Sequence, residues 1–173
     1  TNRGLALKEL HQFEEAIENY DTAIAYRPDL AEAYSNRAIV LLALKQFEVA
    51  LTNCNQAIKL KPDFANAYSN RGIALHALNK IDDAIVSYGV AISLDPSYAE
   101  AFSNRGSAFE ELKQFEAALA DYQTAMNLNP NIEYLFGTVQ HIKMQICDWT
   151  DFNQNVFELS RKIQANEKAS PCL

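Results

Sequence analysis

The stretch "AYSNRAIV" at residues 33–40 returns as "AYSNRGIA" at 67–74 and "AFSNRGSA" at 101–108, and "TNRGLA" opens the chain. Asn2, Asn36, Asn70 and Asn104 are therefore spaced 34 residues apart. Other columns keep the step: Ala16, Ala50, Ala84 and Ala118; Tyr20, Cys54, Tyr88 and Tyr122; Ala23, Ala57, Ala91 and Ala125; Pro28, Pro62, Pro96 and Pro130. A fixed period of this length is the signature of a repeat architecture.

Each period predicts two helices. Tyr34, Arg37, Ala38 and Leu41 lie three or four residues apart and share one helical stripe, as do Phe102, Gly106 and Phe109. A second stripe runs through Phe47, Ala50, Leu51, Cys54, Ala57 and Ile58. Gly72 and Gly106 fall inside the first helices, where Gly is disfavoured by about 0.8–1.0 kcal/mol relative to Ala. Their use there predicts that no larger side chain fits. The Pro column marks where each second helix stops.

The pattern of aromatic, small residue, Ala, aromatic, Ala and Pro resembles the tetratricopeptide repeat family. The resemblance implies an all-α superhelical solenoid of antiparallel helix pairs with a concave groove. Its divisions are a truncated repeat at 1–30, complete repeats at 31–64, 65–98 and 99–132, and capping or linking helices at 133–173. Each repeat needs a neighbour to bury its faces, and the family's usual business is protein binding.

Composition narrows the ligand. With 22 acidic and 15 basic residues the net charge is −7, and no basic stripe exists to neutralise phosphates, so nucleic acid is not an expected partner. The longest apolar run, "AIVLLAL" at 38–44, is too short for a bilayer, so no membrane partner is expected either. Cys54, Cys147 and Cys172 are odd in number and widely spaced, which favours reduced thiols in a cytoplasmic protein. The chain opens inside a repeat at Thr1, which predicts an earlier native start and an exposed packing surface there for self-association.

No catalytic, metal or cofactor constellation is visible. His11, His76 and His141 have no second ligand at helical or turn spacing. The five glycines form no phosphate loop, and the pairs Glu14-Glu15, Asp82-Asp83 and Glu110-Glu111 read as solvated helix faces.

The Asn column carries the binding expectation. An Asn side chain offers an acceptor and two donors, so it can pair with both the N–H and the C=O of an extended peptide. Asn2, Asn36, Asn70 and Asn104 are the peptide-binding candidates, with Ser35, Ser69, Ser103 and His76 as further groove residues. The alternative is that the asparagines hydrogen-bond neighbouring helices and only stabilise the stack. For the adjacent column, Arg3, Arg37, Arg71 and Arg105, the favoured reading packs each stem and sends its head to a carboxylate or helix end. The other reading makes the column a carboxylate-binding ladder. Acidic chaperone tails are disfavoured, because the Lys residues such clamps use are replaced by Glu32, Asn66 and Glu100 and the neighbouring serines.

After Pro130 the columns fail: Gln140, Phe152 and Gln164 stand where the period asks for a small residue, Ala and Pro. Two helices are still expected, through Leu135, Val139, Ile142 and Ile146 and through Phe152, Val156, Leu159 and Ile163. Thr150 or Asp151 is the expected cap of the second, and Trp149 the expected wedge between them. This tail, above all "KMQICDWTDF" at 143–152, resembles a segment of bacterial O-linked N-acetylglucosamine transferases. The resemblance implies a groove that holds acceptor polypeptides by their backbone through an asparagine ladder. It also implies an attached half, absent here, that transfers N-acetylglucosamine to Ser or Thr hydroxyls. The chain would then be a substrate-recruiting arm; the alternative is a stand-alone adaptor with no enzymatic activity.

Overall fold

The computed structural model describes the backbone of residues 2–132, 134–150 and 152–164, and side chains over 12–132, 134–150 and 152–162. All regular structure among these residues is helical. The chain divides into two compact units, one up to Leu94 and one from Asp95.

The first unit holds α1 (Asn2–Tyr26), α2 (Ala31–Ala43), α3 (Phe47–Leu60), α4 (Ala65–Ala77) and α5 (Ile81–Leu94). Connections this short between neighbouring helices force antiparallel pairs. Thus α2 packs on α3 and α4 on α5, while α3 also packs on α4 and α1 on α2. The Pro column acts as the sequence predicts. Pro28, Pro62, Pro96 and Pro130 lie two positions beyond Tyr26, Leu60, Leu94 and Leu128, the last residues of their helices.

The core is built from small residues at the crossings. Ala38, Ala50, Cys54, Ala57, Ala67, Ala74, Ala84 and Ala91 are fully buried, and Leu41, Leu75, Ile81 and Tyr88 fill the space between them. Small side chains bring helix axes together, so each large one must find a facing gap. Gly72 is such a gap, occupied by the ring of Tyr88.

The second unit holds α6 (Ala99–Glu111), α7 (Phe115–Leu128), α8 (Leu135–Gln145) and α9 (Phe152–Gln164). Its core joins Ala118, Tyr122 and Ala125 of α7 to Leu135, Val139 and Ile142 of α8, with Phe102, Phe109 and Met126 packed against them. Here α8 covers α7 with the stripe expected of it. By contrast α9 leaves Val156 and Phe157 exposed. Trp149 is not a wedge: it is 56 % exposed and meets Phe152 edge-on, with ring centroids 5.2 Å apart. The backbone N–H of Thr150 donates to Asp148 Oδ1, while Asp151 lies outside the described residues.

The first helices α2, α4 and α6 end by one device, whereas the truncated repeat at 1–30 forms no helix pair, because Asn2–Tyr26 run as one helix. Lys45, Asn79 and Lys113 take left-handed backbone conformations with φ of 58°, 59° and 58°. The N–H of the following residue returns to the carbonyl five positions back, as in Gln46 to Leu41, Lys80 to Leu75 and Gln114 to Phe109. Orphan helix carbonyls are thereby satisfied by main chain alone. Cys147, one more period along, repeats the device with φ 56° and a bond from Asp148 N–H to the Lys143 carbonyl. The backbone of the tail therefore keeps a period that its side chains have lost.

Candidate functional site

The Arg column fixes the geometry of the first helices. Each guanidinium lies over the ring three residues before it: Arg37 over Tyr34 at 5.7 Å, Arg71 over Tyr68 at 5.0 Å and Arg105 over Phe102 at 5.7 Å. From there it reaches the second helix of its own pair, sixteen residues on. Arg37 Nε donates to Asn53 Oδ1 at 2.8 Å, Arg71 Nε to Ser87 Oγ at 3.1 Å, and Arg105 Nε to Asp121 Oδ2 at 2.7 Å. Arg105 Nη2 adds a second bond to Asp121 Oδ1 at 2.8 Å, making that pair bidentate. Arg37 Nη1 also pairs with Asp21, on α1. Arg37 and Arg105 are internal staples with packed stems and heads paired to carboxylates, Arg71 is stapled through Nε alone, and the side chain of Arg3 lies outside the described residues.

An Arg held toward the second helix turns the preceding residue about 100° away around the helix axis. The Asn column nonetheless meets unequal surroundings. Asn36 is exposed, whereas Asn70 is only 7 % exposed and donates from Nδ2 to Ser35 Oγ at 3.4 Å. Asn104 is half-buried, and the side chain of Asn2 lies outside the described residues. Asn70 thus links α4 to α2, the stack-stabilising role.

The serine expectation needs correction at two positions. Ser35 and Ser69 are 1 % and 2 % exposed, so both are closed off inside the first unit and neither lines a groove. Small hydroxyls suit these sites because the helices approach too closely there for a longer side chain. Ser103 and His76 are half-buried. Around Asn36, the exposed positions of α2 are Glu32, Ile39 and Ala43, one helical stripe with polar and apolar members. The Glu32 carboxyl is held below its usual range by a backbone hydrogen bond at the helix start and then by Lys61, whose Nζ lies 3.2 Å away.

Each unit holds a cavity among its described residues. One of about 290 Å³ lies between α3 and α5 in the first unit, where Arg71 and Leu75 of α4 meet Asn55, Val86 and Ser87. The other, about 60 Å³, lies between α8 and α9 beside Met144, Phe152 and Val156. Among the described residues no group of His, Cys, Asp or Glu is placed to hold a metal ion, and no helix is long and apolar enough to cross a membrane. Cys54 is buried with its thiol free, and Cys147 is free and exposed. The Arg71 cavity is missed by scanning columns one at a time. Its signal is the pair of residues sixteen before and sixteen after each Arg.

The descriptions "TPR repeat" and "Tetratricopeptide repeat" match residues 4–45, 40–79 and 72–113 and residues 99–132, respectively. No curated protein matches the sequence. Among solved structures, MamA 41-end from Desulfovibrio magneticus RS-1 superimposes with a TM-score of 0.77 at 18% identity, over 94% of this chain and 93% of that one. The first TPR of Spaghetti (RPAP3), bound to the HSP90 peptide SRMEEVD, matches at 0.65 and 23% identity, over 68% of this chain and 93% of that one. The OM64 TPR domain of Arabidopsis matches at 0.64 and 26% identity, over 66% and 94%.

Proposed function

Because the chain belongs to the tetratricopeptide repeat family, we propose that it is a protein-binding module that holds an extended polypeptide against the first helices of its repeats. The observation that carries this reading is Asn36, an exposed amide flanked on one helical stripe by Glu32 and Ile39, with Ile39 49 % exposed. Such a surface offers a backbone-pairing amide beside an apolar contact, suited to many sequences. The peptide seated on the Spaghetti repeat supports the class of ligand. In this reading 31–64, 65–98 and 99–132 are the binding repeats, 133–173 caps the array, and the free thiols of Cys54 and Cys147 suit the cytoplasm.

The finer reading makes the chain the substrate-recruiting arm of a protein O-linked N-acetylglucosamine transferase. It is supported by "KMQICDWTDF" at 143–152, directly after the repeats. Sugar transfer to protein hydroxyls by the full-length protein tests it, and an inert full-length protein leaves the adaptor.

Binding itself is tested with an unstructured polypeptide. Asn36→Ala should weaken affinity about fivefold, the equivalent of one hydrogen bond of about 1 kcal/mol, without changing thermal stability. Asn70→Ala should do the opposite, lowering stability through the lost Ser35 contact. An Asn36→Ala protein that binds as tightly as the parent removes Asn36 from the site.

A further inference from the structure

The three arginines are each other's control. Sixteen residues before and after Arg37 stand Asp21 and Asn53, and Arg37 bonds both. After Arg105 stands Asp121, which takes two of its bonds. For Arg71 the corresponding residues are Asn55 and Ser87, neither of them charged. Arg71 donates to Ser87 through Nε alone, and among the described residues its two terminal amino groups meet no protein acceptor. The 290 Å³ cavity opens at this point, between Asn55 on one side and Ser87 on the other.

Arg37 and Arg105 show what this environment accepts, a single carboxylate against a guanidinium already fixed on an aromatic ring. Arg71 is fixed in the same way on Tyr68. A bound carboxylate would therefore find its partner pre-oriented. Leu51, Leu75 and Val86 supply apolar walls; Leu75 is 7 % exposed and shields such a pair from water, whereas Val86 is 62 % exposed. Asp83 also lines the cavity, one turn before Ser87, and forms no ion pair with Arg71 among the described residues. Its charge opposes any anionic ligand, and one bearing several negative groups more than one bearing a single carboxylate.

We propose that the cavity between Asn55, Arg71 and Ser87 is a carboxylate subsite that takes one Asp or Glu side chain of a bound polypeptide, restoring the ion pair that the neighbouring repeats make internally. The proposal rests on the polypeptide-binding reading and extends it from the first helices to the face between α3 and α5. It adds a preference for a single acidic residue.

The test follows the Arg71 Nε–H resonance during titration with the blocked tripeptides acetyl-Gly-Asp-Gly-amide and acetyl-Gly-Asn-Gly-amide, and with acetate. The Asp peptide is expected to shift it and to bind at least tenfold tighter than the Asn peptide and severalfold tighter than acetate. Asn55→Asp places a carboxylate at the Asp21 position and should abolish the response while raising the melting temperature; Asp83→Asn should tighten binding. Equal shifts from Asp and Asn peptides, acetate binding as tightly as the Asp peptide, or full binding by Asn55→Asp overturns the proposal. So does an Arg71 resonance that moves in Asp83→Asn without ligand, since Asp83 would then be its partner. Binding of an acid-free unstructured polypeptide separates the two levels: if it survives in Asn55→Asp while the tripeptide results fail, only the subsite falls.

Discussion

A methyl group placed on Gly72 would lie 2.4 Å from Cε1 of Tyr88, inside the ring's van der Waals envelope. Tyr88 is 1 % exposed and cannot swing away. Gly72→Ala should therefore destabilise the protein by about 2 kcal/mol despite the better helix propensity of Ala. At Gly106 the nearest ring atoms of Tyr122 are 2.9 Å away, so Gly106→Ala should cost less. Urea unfolding of the two variants checks the order.

The same register sets Ala38 against Cys54, both fully buried, where later repeats have Gly against Tyr. Cys54→Tyr alone should overpack this site by about 1–3 kcal/mol. Adding Ala38→Gly should recover most of that loss, a coupling of about 1–2 kcal/mol in a double-mutant cycle. Additive effects would show that the two positions do not share a contact.

The Arg105–Asp121 pair has side chains 23 % and 8 % exposed, so removing one partner strands a charge in a dry site. Asp121→Ala should cost about 3 kcal/mol. Ser87→Ala, which removes a neutral acceptor from Arg71, should cost only about 1 kcal/mol. Denaturation midpoints that fall together would remove the distinction between the two repeats.

Burial pushes the Cys54 thiol up to about 12, with Arg71 pulling weakly the other way. Burial also raises the Tyr88 and Tyr122 phenols, and for Tyr122 the bond to Glu110 adds to the effect. Folding favours the protonated forms, so stability should hold below the thiol's ordinary value of 9.0 and fall as pH rises beyond it. Cys54 alone accounts for about 1.4 kcal/mol per pH unit in that window. Unfolding at pH 8 and pH 10 measures the loss, and Cys54→Ala should reduce it. Alkylation of the folded protein should label Cys147 well before Cys54.

The helix pairs of the three complete repeats were legible because the period repeats both faces, and the Gly and Pro columns named their own physical causes, whereas the division expected within 1–30 is replaced by one helix, Asn2–Tyr26. The fate of the Asn column was not. Asn36 and Asn70 occupy equivalent positions, yet one is exposed and the other is joined to Ser35; the residue that stands to Asn36 as Ser35 stands to Asn70 is Thr1, outside the described residues. Ser35 and Ser69 misled for a related reason: a hydroxyl reads as a surface group until the spacing of the helices is known. Trp149 was misjudged because size alone suggested a wedge, while α9 leaves its apolar face open. The Arg heads were legible in kind, and their partners required the sixteen-residue relation between helices.

At Lys45, Asn79, Lys113 and Cys147, three kinds of side chain sit on one left-handed corner closed by main-chain bonds. A corner closed by main chain, which needs only a side chain tolerant of left-handed backbone, can be inherited by a duplicated segment of varied composition, and the joint still bends the same way. Copies are then free to drift, each acquiring its own charges and contacts, while the turn inside each helix pair stays constant. The array can lengthen or diversify by gene duplication without any new joint having to be invented.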